Sequence, residues 1–154
     1  MKNQIELTKE QEKAVIDRLC AYVTENAEKV DVEQAYSDML DDCYSFREVG
    51  GPFASMSPSR VLQECDPVAF RCGVSDHADA ADFIEIAGDY YQERHVEEQR
   101  DAFVDSLDSE LMEVNKAIES AENEPERDSG QLGVLQEKAA RLAAEIETAR
   151  DYVF

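Results

Sequence analysis

Residues 76–113 read DHADAADFIEIAGDYYQERHVEEQRDAFVDSLDSELME. Carboxylates recur here at Asp76, Asp79, Asp82, Glu85, Asp89, Glu93, Glu97, Asp101, Asp105 and Asp108, every step being three or four residues. Residues three and four apart are neighbours on a helix, so the spacing predicts one long helix with a continuous acidic ridge. With Glu98, Glu110 and Glu113 the stretch holds thirteen acids against two bases, Arg94 and Arg100, a net −11 of the chain's −21. Like charges at i,i+4 cost about 0.2–0.5 kcal/mol a pair, and nothing local offsets them. That cost marks Asp82, Glu85, Asp89, Glu93, Glu97, Asp101, Asp105 and Asp108 as candidate partner-binding residues, against the plainer reading of a solvated helix face. Phe83, Ile84, Ile86, Ala87, Tyr90 and Tyr91 share one side of such a helix. Val104, Leu107, Leu111 and Val114 restart on another, which predicts a kink near His95 or two different packing partners.

On the C-terminal side, Val104, Leu107, Leu111, Val114, Ile118 and Ala121 repeat by threes and fours, as do Leu132, Leu135, Ala139, Leu142, Ile146 and Ala149. Pro125 and Gly130 between them predict an antiparallel helical hairpin. On the N-terminal side, Thr8 with Gln11 is a capping-box start for a helix to about Asn26. Asp31 caps a second, with Val32, Ala35, Tyr36, Met39, Leu40 and Cys43 on one face. Val49-Gly50-Gly51-Pro52 is a turn signal between Phe46 and Phe53, consistent with two short strands or an irregular insert. Ser57-Pro58 starts a short helix, and Asp66-Pro67 another that Gly73 would end. Ser75 or Asp76 would then cap the acidic helix. The expected fold is mainly α. Residues 1–75 form a helical N-terminal part, residues 76–154 the acidic helix and an antiparallel coiled-coil hairpin, and the whole is expected to be one compact unit.

The chain's 154 residues suffice for a core, and a hydrophobic fraction of 43% argues against wholesale disorder despite 33% charged residues. An excess of 36 acids over 15 bases disfavours direct contact with nucleic acid or an anionic membrane, since phosphates would be repelled. The expected partner surface is basic. No apolar run approaches a membrane span and the N-terminal residues lack a signal-like apolar region, so the expectation is a soluble, cytoplasmic protein. Cys20, Cys43, Cys65 and Cys72 are expected as reduced thiols, mostly in the core.

Cys65, Cys72, His77 and His95 match no common zinc spacing, and no metal or other cofactor is expected. Nor is there a nucleophile elbow, P-loop or dinucleotide fingerprint. With so many acids, some carboxylate pair is always close, so pairing alone signals no acid/base chemistry. The expectation is a protein without catalytic residues.

Asp38-Met39-Leu40-Asp41-Asp42-Cys43-Tyr44, the Gly-Gly turn, Ser59-Arg60-Val61-Leu62 and then Asp66-Pro67-Val68-Ala69-Phe70-Arg71-Cys72-Gly73 with Asp76 resemble a family of small proteins encoded by phages and other mobile elements. The resemblance covers Val32 to Asp82, about a third of the chain, and implies a genomic context but no activity. Together with the charge, that context is similar in class to acidic phage anti-defence proteins that mimic nucleic acid, such as antirestriction and some anti-CRISPR proteins. The implied partner is a host nucleic-acid-binding defence protein such as a Cas nuclease, whose basic groove the ridge would fill. A 38-residue ridge spans about 57 Å and carries roughly one net charge per 5 Å, against one per ~1.7 Å in duplex DNA. Further charge is expected from Glu119, Glu122, Glu145 and Glu147, or from a second subunit in a homodimer. The alternative is a phage accessory or assembly protein whose hairpin lies in a partner's groove.

Overall fold

The computed structural model describes residues 5–123 and 129–154 and is mainly α-helical. The chain divides into two units. One combines the segment up to Ala27 with His95–Phe154, and the other is Glu28–Arg94. The boundary expected at residues 75 and 76 falls inside a helix of the second unit.

The first unit is built from α1 (Lys9–Asn26), nearly all of α5 (Glu93–Asn123) and α6 (Ser129–Asp151). Thr8 opens α1 with the reciprocal cap its sequence predicts. Its hydroxyl accepts from the Gln11 N–H at 3.3 Å, and Gln11 Oε1 accepts from the Thr8 N–H at 2.9 Å. Val15, Leu19 and Val23, one face of α1, are buried. The Tyr22 ring meets Phe103 of α5 with centroids 5.6 Å apart, and the Arg18 guanidinium lies 5.8 Å over the same Phe103 ring. Between α5 and α6, Asp108 pairs with Arg150 at 3.0 Å and Glu110 with Lys138 at 2.8 Å. The earlier residue of one helix meets the later residue of the other, so the pair is antiparallel. Leu107, Val114, Leu142, Ile146 and Ala149 are buried, while Leu111, Ile118, Leu132 and Leu135 are only half-buried. The predicted turn at residues 124–128 lies outside the described residues.

The second unit runs β1 (Lys29–Val30), α2 (Val32–Cys43), a 3-10 turn (Gly51–Ser55), α3 (Pro58–Cys65), α4 (Pro67–Ala80), β2 (Phe83–Ile86) and β3 (Asp89–Gln92), and its last two residues begin α5. Asp31 caps α2 by accepting from the Gln34 N–H, and Asp66 caps α4 from the Ala69 N–H with Pro67 behind it. Helix α4 does not stop at Gly73, and Ser75 and Asp76 lie within it as ordinary helical positions rather than caps. Gly73 serves a different purpose: a Cβ there would fall inside the Tyr36 hydroxyl, so its lack of a side chain lets α2 and α4 approach. Tyr36 also meets Phe70 at 5.5 Å and His77 at 5.7 Å, and His77 meets Phe83 at 6.0 Å.

The largest departure from the sequence reading is at Phe83–Gln92. These residues form an antiparallel hairpin where one continuous helix was expected, pairing Ile84 with Tyr91 and Ile86 with Asp89. Residues β1, β3 and β2 lie in that order in one small antiparallel sheet. Ala87 (φ 55°) and Gly88 (φ 89°) make the two-residue turn, both in the left-handed region that such hairpins require. Aromatic and β-branched residues at 83, 84, 86, 90 and 91 favour a pleated surface over a helix. The insert expected between Phe46 and Phe53 contains a 3-10 turn and no strand among the described residues.

Candidate partner-binding surface

From Glu93 to Asn123 the chain has neither glycine nor proline, and α5 runs unbroken through it. The Glu93 N–H donates to the Asp82 carbonyl at 2.8 Å where the helix begins. A carboxylate in that first turn is favoured by the helix dipole.

The eight candidate acids do not form one helical ridge. Asp82 follows α4, Glu85 is exposed on β2, Asp89 sits on β3, and Glu93 opens α5, all four in the second unit. Glu97, Asp101, Asp105 and Asp108 lie on α5 in the first unit. Steps of three and four are necessary for a helical ridge but do not by themselves establish a helix. Asp89 is also engaged locally, holding Lys29 Nζ at 2.6 Å. That hydrogen bond, reinforced by the charge of Asp89, raises the Lys29 pKa.

On α5 the short row survives, with Glu97, Asp101 and Asp105 exposed opposite the buried Phe103 and Leu107. Glu97 and Asp105 have no basic side chain within ion-pair distance among the described residues. Among the described residues the one basic side chain within ion-pair distance of Asp101 is its neighbour Arg100, at 3.7 Å. Asp108, the last of the row, is held by Arg150, and nearby Glu110 by Lys138. The hydrogen bond from Lys138 holds the Glu110 carboxyl below the usual carboxylate range.

The hairpin's second helix does not add the charge expected of it. Glu145, only 13% exposed in its side chain, accepts from Arg18 at 3.1 Å and faces Arg141 at 3.7 Å. With four acids against three bases, α6 is nearly neutral, whereas α5 carries ten acids against three bases. The surplus negative charge of this helix pair is therefore on α5.

The cysteines depart from expectation as well. Cys43, Cys65 and Cys72 are exposed rather than in the core, and Cys20 is half-buried. Cys43 and Cys65 are the last residues of α2 and α3. Burial pushes the Cys20 thiol up, against the opposing effect of a hydrogen bond to Tyr152, whose own pKa burial also raises. Among the described residues no three His, Cys, Asp or Glu side chains converge as metal ligands. No described helix is long and apolar enough to cross a membrane. No protein-family model, curated protein or solved structure matches the chain.

Proposed function

We propose that this chain is a non-enzymatic inhibitor that uses the acidic side of α5 to occupy a basic, nucleic-acid-binding surface of another protein. The phage anti-defence class, acting on a Cas nuclease or a restriction enzyme, is the setting in which such a surface would be the target. The observation that carries this reading is the exposed row Glu97, Asp101 and Asp105, none of which is neutralised across a helix interface among the described residues. Burial of the competing surface supports it. Leu107 and Leu142, the centre of the apolar stripe a helical partner would need, are 3% and 4% exposed.

Charge density narrows the kind of groove. Helix α5, with 31 residues and a net −7, is about 46 Å long, or roughly one net charge per 7 Å. Duplex DNA carries one per ~1.7 Å and each of its strands one per ~3.4 Å. The helix is thus about fourfold too dilute for a duplex and twofold for one strand. A groove that tracks a single strand with a line of Lys and Arg is the better fit.

The test is protection from DNA cleavage across a panel of purified Cas nucleases and restriction enzymes, with wild type and a Glu97→Lys, Asp101→Lys, Asp105→Lys variant. Lysine is as good a helix former as these acids, so the fold should hold. Each lost charge-assisted contact is worth about 1.5–3 kcal/mol. Inhibition by wild type should fade with added salt and be absent in the variant. Equal inhibition by the variant, or none of the panel inhibited by wild type, would sink the reading. The half-buried Leu111, Ile118, Leu132 and Leu135 sustain a second reading, a helical partner on that part of the hairpin, which the charge reversal would leave intact.

A further inference from the structure

Tyr44, Val49, Phe53 and Met56 are four large apolar side chains left exposed within thirteen consecutive residues, between α2 and α3 of the second unit. Tyr44 and Phe53 are 62% and 53% exposed. The segment is nevertheless held by hydrogen bonds of its own backbone and at its far end. The Val49 N–H donates to the Phe46 carbonyl and the Met56 N–H to the Phe53 carbonyl, each at 3.0 Å. Gly50 (φ 71°) and Gly51 (φ 64°) set the turn in a conformation side chains resist. At its far end the Asp41 carboxylate accepts from both the N–H and the hydroxyl of Ser59, each at 2.8 Å. Tyr44, Phe46 and Met56 line a depression of about 500 Å³, with Asp41, Asp42 and Arg47 among its other walls. A chain otherwise rich in charge thus holds aromatic and thioether side chains outward on a hydrogen-bonded scaffold, as interaction surfaces do.

The geometry points to a docking surface for a protein segment that carries large apolar side chains flanked by Lys or Arg. Charge selects that occupant. Asp42 and Glu48 are exposed at or beside the depression, and residues 28–94 hold fifteen acids against five bases, a net −10. A second copy would bring the same acids against these, and an anionic membrane would be repelled. A basic-rimmed apolar segment gains from both the patch and its surroundings. This surface is made of residues of the second unit, the α5 row of residues of the first, and the proposal does not depend on the reading given to that row.

The experiment uses the full chain, labelled for amide NMR, and three peptides of about 14 residues, roughly four helical turns. One places Leu on one face and Lys on the other, one replaces Lys by Glu, and one replaces Leu by Ala. The Leu/Lys peptide should move the resonances of residues 42–58, and the other two should bind about tenfold or more weakly. Tyr44→Ser with Phe53→Ser should weaken it about tenfold, and Asp42→Lys with Glu48→Lys should do so by the charge route alone. The α5 triple reversal should leave the 42–58 shifts in place, which separates this surface from the proposed inhibitory face. The proposal is overturned if those resonances stay still, if the Ala/Lys peptide moves them equally, or if concentrating the protein alone moves them, which would make a second copy the occupant.

Discussion

A hydrogen atom is all that Gly73 presents to Tyr36. Replacing it by alanine would gain up to about 1 kcal/mol of helix propensity, but the new Cβ would overlap the Tyr36 ring and hydroxyl. Overpacking of this kind costs about 1–3 kcal/mol, and the rigid phenol, already packed on Phe70 and His77, has little room to move. Gly73→Ala is therefore expected to lower unfolding free energy in urea by about 1–2 kcal/mol. In a Tyr36→Leu background the same change should be neutral or stabilising. A stabilising Gly73→Ala in the wild-type background would mean that α2 and α4 do not approach as described. At the same scale, the Asp41 carboxylate satisfies the buried Ser59 hydroxyl and one of the first N–H groups of α3, which its own N-cap, Ser57, leaves without a side-chain partner.

At the scale of elements, the hairpin of β2 and β3 turns on Ala87, an alanine held at φ 55° and exposed. Two-residue hairpin turns with both central residues left-handed favour Asn-Gly, and alanine pays the cost of a Cβ close to the following carbonyl. Ala87→Asn should stabilise the chain by about 0.5–1 kcal/mol, read as a higher midpoint in urea with unchanged slope. A destabilising result would contradict the turn. The helices behave differently from the hairpin because their signals are local. The Thr8 capping box, the Asp31 and Asp66 caps and the Pro67 start each act within one turn of chain, and each is found where the residues imply it.

Over the whole chain, negative charge is divided between the units, −10 in residues 28–94 and −11 in the remainder. Self-repulsion among so many acids destabilises the compact state. The Debye length falls from about 10 Å at 0.1 M salt to about 3 Å at 1 M, which screens that repulsion. The melting temperature should accordingly rise as NaCl is raised across that range. A flat or falling curve in a thermal melt would mean that favourable ion pairs such as Arg18 with Glu145 outweigh the repulsion, and the exposed α5 acids would then carry no uncompensated cost.

The sequence by itself determined the mainly α class, the starts of α1, α2 and α4, the antiparallel pairing of the last two helices and the net charge, because caps, heptad spacing and composition are local properties. Only the tertiary structure decided that the acids from Asp82 to Asp89 leave the helix. The three-and-four spacing of those acids fits a helical face, while the aromatic and β-branched residues between them and Gly88 fit a strand pair; in the structure they pair with each other, and β3 also pairs with Lys29–Val30 from far back in the chain. The same holds for Gly73, which looks like a helix end until Tyr36 is placed against it, and for Glu145, which looks like free charge until Arg18 arrives from α1. For Gly73 and Glu145 the deciding partner is more than thirty residues away, where no window of local sequence reaches.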